Sequence, residues 1–181
     1  MSGEGWGATA LRPSLVLLAV LAVTAAALVV VVPRAEAAVP ARGTLVPGSS
    51  LGGVRLGDTP AAVRARWGGG YTRCTVCPAT TWLYMIRGAK RLAGVAVTFR
   101  SGRAVAVFTL GAPVGWRSTR GLAVGDPATR IADLHGRLNY SRCVGYGALS
   151  VRRGTVVTSI YTFGEAVYGF ALTRPADPVC Q

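Results

Sequence analysis

The sequence predicts an α+β fold built from one unit used twice, each unit a short helix followed by antiparallel strands. Three observations predict it. Residues 54–68 and 123–136 share a Gly-Asp pair, an aliphatic residue six positions after the Gly, and a closing Gly. Residues 99–110 align without a gap to residues 161–172. Between these blocks stand two near-identical tetrapeptides, YTRC at 71–74 and YSRC at 140–143. The offset is 68 residues at Gly57/Gly125 and 62 at Gly102/Gly164, so the first copy is longer between its Cys and its hairpin. Matched blocks in the same order indicate internal duplication.

The helices are justified by their ends. Thr59 or Asp58 can cap a helix that has Pro60 as its first residue, and Asp126 can do the same before Pro127. Val63 and Trp67, four apart, share a helix face, as do Ile131 and His135. Gly68 and Gly136 stop the helices in the left-handed region. Strands are expected at 82–87, 95–100 and 103–110, then at 148–152, 155–162 and 165–173. The register of Trp82 and Tyr84 is left open.

Ser101-Gly102 and Phe163-Gly164 read as two-residue hairpin turns. With Arg100 opposite Arg103, one face of the first hairpin shows Val95, Val97, Phe99, Ala104, Ala106, Phe108 and Leu110. In the second hairpin it shows Val157, Ser159, Tyr161, Ala166, Tyr168, Phe170 and Leu172. These are assigned to the core beneath the helices. The opposite face is β-branched and free of charge, so it is either covered or made for contact. Its candidate partner-binding residues are Thr98, Val105, Val107, Ile160 and Val167, joined by Trp116 and Arg117 from the connector. For Trp116 the alternative is packing over the joint; for the valines it is burial in a homodimer.

The motif aliphatic-Gly, an aliphatic six residues on, and a closing Gly resembles the tandem repeats of the β-lactamase inhibitory protein and of the small lipoproteins of outer-membrane assembly. Its residues here are Leu56-Gly57, Val63, Trp67-Gly68 and Val124-Gly125, Ile131, Gly136. The resemblance covers about residues 51–173. It implies two tandem helix-plus-antiparallel-strand repeats forming one curved antiparallel sheet, with short helices on one face and a protein-binding face on the other. His135 departs from the pattern where the first copy has Trp67. The lipid-carrying Cys of the assembly proteins is absent, and no lactamase-contact residue carries over.

Residues 15–32 are Leu, Val and Ala except for Thr24, and Ala35-Glu36-Ala37 fits the small-x-small pattern of a cleavage site. Residues 1–37 therefore read as a signal peptide cleaved after Ala37, or as a retained N-terminal membrane anchor, since such a run just spans a bilayer. Both place the remainder outside the cytoplasm, secreted or extracytoplasmic. The expected organisation is a Pro/Gly-rich linker at 38–50, repeat unit 1 at 51–111, a connector at 112–120, repeat unit 2 at 121–173 and a C-terminal tail at 174–181 carrying Cys180.

An even set of cysteines in an exported chain reads as two disulfides. The preferred pairing of Cys74, Cys77, Cys143 and Cys180 is Cys74–Cys77 and Cys143–Cys180. The chain has 181 residues and a formal net charge of +13, and all of its 20 basic residues except Lys90 are arginine. That charge attracts anions, but the arginines are scattered and no nucleic-acid-reading motif appears.

Three functions compete. The preferred one is an exported non-enzymatic module that binds protein through its uncharged sheet face. The second is a cationic module bound to an anionic envelope polymer or lipid, which salt would weaken. The third is an enzyme. Beyond residue 37 the candidate acid–base groups are Asp58, Asp126, Asp133, Glu165, Asp177 and His135. The first two serve better as helix caps, and no nucleophile–base or metal-ligand spacing appears. No catalytic, cofactor-binding or metal-binding residues are expected, and no cofactor. Partners are an unknown protein or an anionic envelope component, with no sequence-specific nucleic acid. Membrane contact is expected only through residues 15–32 if uncleaved, and a homodimer is possible.

Overall fold

The computed structural model of the chain describes residues 41–86 and 93–181. The apolar run at 15–32, the cleavage site and the expected end of a strand at Arg87 lie outside these residues. No helix among the described residues is long and apolar enough to cross a membrane.

Thirteen elements follow one another in the described chain. They are β1 (Thr44–Val46), β2 (Ser50–Leu51), α1 (Pro60–Trp67), β3 (Thr72–Arg73), β4 (Thr80–Met85), β5 (Gly94–Arg100), β6 (Arg103–Leu110), β7 (Arg117–Ser118), α2 (Arg130–His135), β8 (Asn139–Arg142), β9 (Gly147–Arg153), β10 (Val156–Phe163) and β11 (Ala166–Thr173). Eight strands form one antiparallel sheet in the order β3-β4-β5-β6-β11-β10-β9-β8. A second sheet has the order β2-β1-β7.

The expected α+β class is therefore corrected: the protein is mostly β. Its helices are only eight and six residues long, and they do not form a layer over a tandem-repeat sheet. Much of what covers the first face of the large sheet comes from irregular chain and the small sheet. Part of the segment expected as a linker supplies β1, and the connector supplies β7 and Trp116. The fully buried Trp116 ring lies so close to Gly43 and Gly52 that a Cβ at either glycine would sit 2.6–2.7 Å from ring carbons. Leu45, Leu51, Val54, Leu122, Val63, Trp67 and Ile131 join Val97, Val107, Phe170 and Leu172 in the main core.

Thr59 caps α1, its Oγ1 accepting from Ala62 N at 3.2 Å. Asp58 and Asp126 have another job. Each closes a turn, Oδ2 accepting from Arg55 N or from Ala123 N at 2.9 Å. Each also pairs with an arginine of the following segment, Arg66 at 2.8 Å and Arg130 at 2.6 Å. Beside them, Gly57 N donates to Ala104 O and Gly125 N to Val167 O, both at 2.8 Å. The Gly-Asp blocks thus dock the turns onto β6 and β11. α2 has no side-chain cap.

The register differs from expectation because both hairpins are irregular. In the first, Arg100 does pair with Arg103, and Ser101 and Gly102 take positive φ as a primed turn requires. Then Phe99 pairs with Ala104 but Thr98 with Ala106, so Val105 is an extra residue. A bulge inverts the facing of everything beyond it. Val107 joins the main core, while Ala106 and Phe108 turn to the second face. In the second hairpin Phe163 pairs with Ala166, making Gly164-Glu165 the turn, and Tyr168 is the extra residue. Ile160, Val167, Phe170 and Leu172 point into the main core; Tyr161, Ala171 and Tyr168 belong to the second face.

Cys74 is bonded to Cys77 and Cys143 to Cys180, the preferred pairing.

Candidate functional site

The expected contact residues do not form a surface. Val105, Val107, Trp116, Ile160 and Val167 are buried. Arg117 is exposed on β7, in the small sheet. Thr98 alone lies half-buried on the second face of the large sheet. The bulges explain the valines: an argument from strict alternation places each on the wrong side once an extra residue enters the strand.

The second face is divided. Over β9, β10 and β11, and at the Arg100 and Val105 end of β5 and β6, it is met by the C-terminal tail. Arg174 N donates to Val105 O at 3.1 Å as the tail leaves β11. The buried Asp177 pairs with Arg100 at 2.7 Å. Tyr161 Oη donates to Val179 O at 2.8 Å, and Tyr146 Oη bonds both the N and the O of Gln181 at 2.8 Å. The Cys143–Cys180 bond fixes the end. Burial pushes the Tyr161 phenol well above its ordinary value, so the hydroxyl remains a donor.

Over β4, β5 and β6 the face carries three cross-strand rows. Thr81 faces Thr98, which faces Ala106; Leu83 faces Ala96, which faces Phe108; Met85 faces Gly94, which faces Leu110. None of the nine residues is charged. Thr81 Oγ1 and Thr98 Oγ1 satisfy each other at 2.9 Å. Leu83 and Leu110, both half-buried, pack against the cluster of Ala96, Ala106 and Phe108. Met85 is 40% exposed.

The sequence reading missed Leu83, Met85 and Leu110. Two of them hid behind the open register of β4. Trp82 and Tyr84 point into the core, where Trp82 stacks on Tyr71 at 3.8 Å and meets Phe99 edge-on at 4.8 Å. Arg64 lies 5.4 Å from the Trp82 ring, a cation–π contact. Burial raises the Tyr84 phenol to about 12. Two aromatics alternating on one strand could have indicated that Leu83 and Met85 face the other way.

Among the described residues the acid–base groups do not converge. His135 Nε2 lies 3.1 Å from Ser118 Oγ. Ser118 is buried, and its oxygen also accepts from Arg120 N and Leu122 N at 3.3 Å. Burial, followed by Arg120 and Arg153, lowers the His135 pKa. Cations surround this pair where a triad would place a carboxylate. Among the described residues, no three His, Cys, Asp or Glu side chains gather as a metal site.

No protein-family model matches the chain, and no curated protein matches it. The resemblance to the inhibitory-protein repeats thus rests on its sequence motif alone. Among solved structures, a cysteine-rich secretory protein from Staphylococcus aureus is similar at 10% identity and a TM-score of 0.43. The match covers 66% of this chain and 43% of that one.

Proposed function

We propose that the chain is an exported, non-enzymatic module that binds a protein partner through the uncharged part of its second sheet face. One observation carries the reading. In a chain of net charge +13, three adjacent strands carry three rows without a charge, of which Met85 is exposed and Leu83, Thr98 and Leu110 are half-buried. A solvated sheet face ordinarily alternates polar residues outward; a charge-free one is a contact surface or a liability. Leu83, Met85 and Leu110 would supply the apolar centre of the contact, with Thr98 at its edge. Export is supported by the apolar run at 15–32 with the small-x-small site after it, together with the two disulfides.

The experiment uses the full chain as bait for culture supernatant and envelope extract, beside a Met85→Arg/Leu110→Arg variant. Proteins captured by the wild type and retained at raised salt, but lost with the variant, support the reading. Equal capture by both baits overturns it. Binding to the envelope fraction that disappears as salt rises would instead favour the cationic, polymer-binding alternative.

A further inference from the structure

At the β8 edge of the large sheet an open cleft of about 260 Å³ lies outside the surface proposed above. Its construction follows from strand geometry. Tyr140 and Arg142, two apart on β8, point to the same side. Gly147 on β9 pairs with Arg142 on one side and with Thr162 of β10 on the other. With no side chain at Gly147, Tyr140 and Thr162 close over its backbone. A Cβ there would come within 2.8 Å of Thr162 Oγ1 and 2.9 Å of the Tyr140 ring. The Tyr140 ring therefore leans over the glycine, and it remains 64% exposed. Tyr146 lines the far side, its hydroxyl held by both main-chain groups of Gln181. The Cys143–Cys180 bond fixes the turn between Arg142 and Tyr146.

The parts are those of a small polar recognition site. One aromatic face stands open to solvent. One arginine, absent from the ion pairs among the described residues, points beside it. Hydroxyls of Tyr140 and Thr162, which both donate and accept, complete the rim. We infer that this cleft binds an anionic sugar residue, its ring laid on Tyr140, its acid group on Arg142 and its hydroxyls on Thr162. An open aromatic face suits a pyranose ring, and the lining carries hydroxyls but no side-chain amide that would read a base edge. A guanidinium fixes a carboxylate or phosphate through paired hydrogen bonds. The carboxylate and phosphate forms share this chemistry.

The test is calorimetric titration of the full, disulfide-bonded chain with trigalacturonate, galactose 6-phosphate, maltotriose and a thymidine trinucleotide. Binding of one or both acidic sugars, with maltotriose at least tenfold weaker, is expected. Tyr140→Ala and Arg142→Gln should each lower the affinity about tenfold, as the loss of one stacked ring or one charge-assisted pair. If Tyr140→Ala loosens the sheet edge, seen as a lowered melting temperature, Arg142→Gln alone decides, since that side chain is exposed. No binding of either acidic sugar at millimolar concentration overturns the inference. So does trinucleotide binding that exceeds theirs, or binding that both variants leave unchanged.

Discussion

Replacing Val107 by Arg tests the bulge at Val105 directly. Val107 has no exposed surface, and its cross-strand neighbours are Val97 and Leu172. Removing a buried valine costs about 1.5–3 kcal/mol in lost transfer energy. Leaving an unpaired charge in such a place costs about 3–5 kcal/mol more. The sum, about 4.5–8 kcal/mol, is comparable to the whole stability of a domain, about 5–15 kcal/mol. Central strands flank β6 on both sides, so the guanidinium has no short route to water. The companion variant, Met85→Arg, places the same side chain on the exposed second face and should change stability by less than about 1 kcal/mol. Urea unfolding followed by tryptophan fluorescence gives both values, with the m-value checking that two-state behaviour persists. If Val107→Arg unfolds within about 1 kcal/mol of the wild type, β6 has the regular register, and the contact surface proposed on the second face goes with it.

Other variants probe the remaining features. Cys143→Ala/Cys180→Ala opens a loop with a separation of 37 residues and should cost about 4 kcal/mol in the chain-entropy model, against about 2 kcal/mol for Cys74→Ala/Cys77→Ala; calorimetric melting ranks them. Gly94→Ala would drive its Cβ onto the Tyr84 carbonyl oxygen across the strand pair, so the variant should melt well below the wild type. The lowered His135 pKa means that the unfolded chain binds the proton more readily. Its contribution to stability is full above about pH 6.5 and is lost as pH falls through the lower folded value. A His135→Gln variant should therefore show a flatter melting temperature between pH 7.5 and 5.5 than the wild type. The raised Tyr84 phenol works in the opposite direction: its stabilisation is full below about pH 10 and is lost as pH rises towards about 12. Tyr84→Phe should reduce the alkaline loss.

Local signals were legible wherever they rested on backbone requirements. Pro60 after Thr59 marked the start of α1, and Gly68 and Gly136, at φ 81° and 73°, marked where the helices stop. The even number of cysteines indicated two disulfides with three pairings open, and the preferred one is formed. The first hairpin turn was placed correctly because Ser101-Gly102 suits a primed turn. What alternation could not reveal was the single extra residue in β6 and in β11, since Val105 and Tyr168 look like ordinary strand residues. That one-residue ambiguity moved Val107, Ile160 and Val167 from the expected contact surface into the core. The small sheet was equally hidden. Strands of two or three residues such as Ser50–Leu51 and Arg117–Ser118 carry no periodic pattern, and it is long-range pairing that makes them strands. The fold class failed for the same reason: helices were weighted as a layer when they are short, and the chain between elements does much of the covering.

The two ends of the large sheet share one design. Each border strand is short, two residues in β3 and four in β8, and each runs through an arginine into a bonded cysteine, Arg73-Cys74 and Arg142-Cys143. An open sheet border invites a further strand from another molecule, and natural proteins discourage this with brevity and charge. Here a covalent bend follows at once, so a visiting strand would find a ladder that stops after a few rungs and beyond it a fixed corner with a cation in front. The near-twin tetrapeptides can thus be understood as stoppers that keep copies of a β-rich, arginine-rich chain from zipping together into fibres.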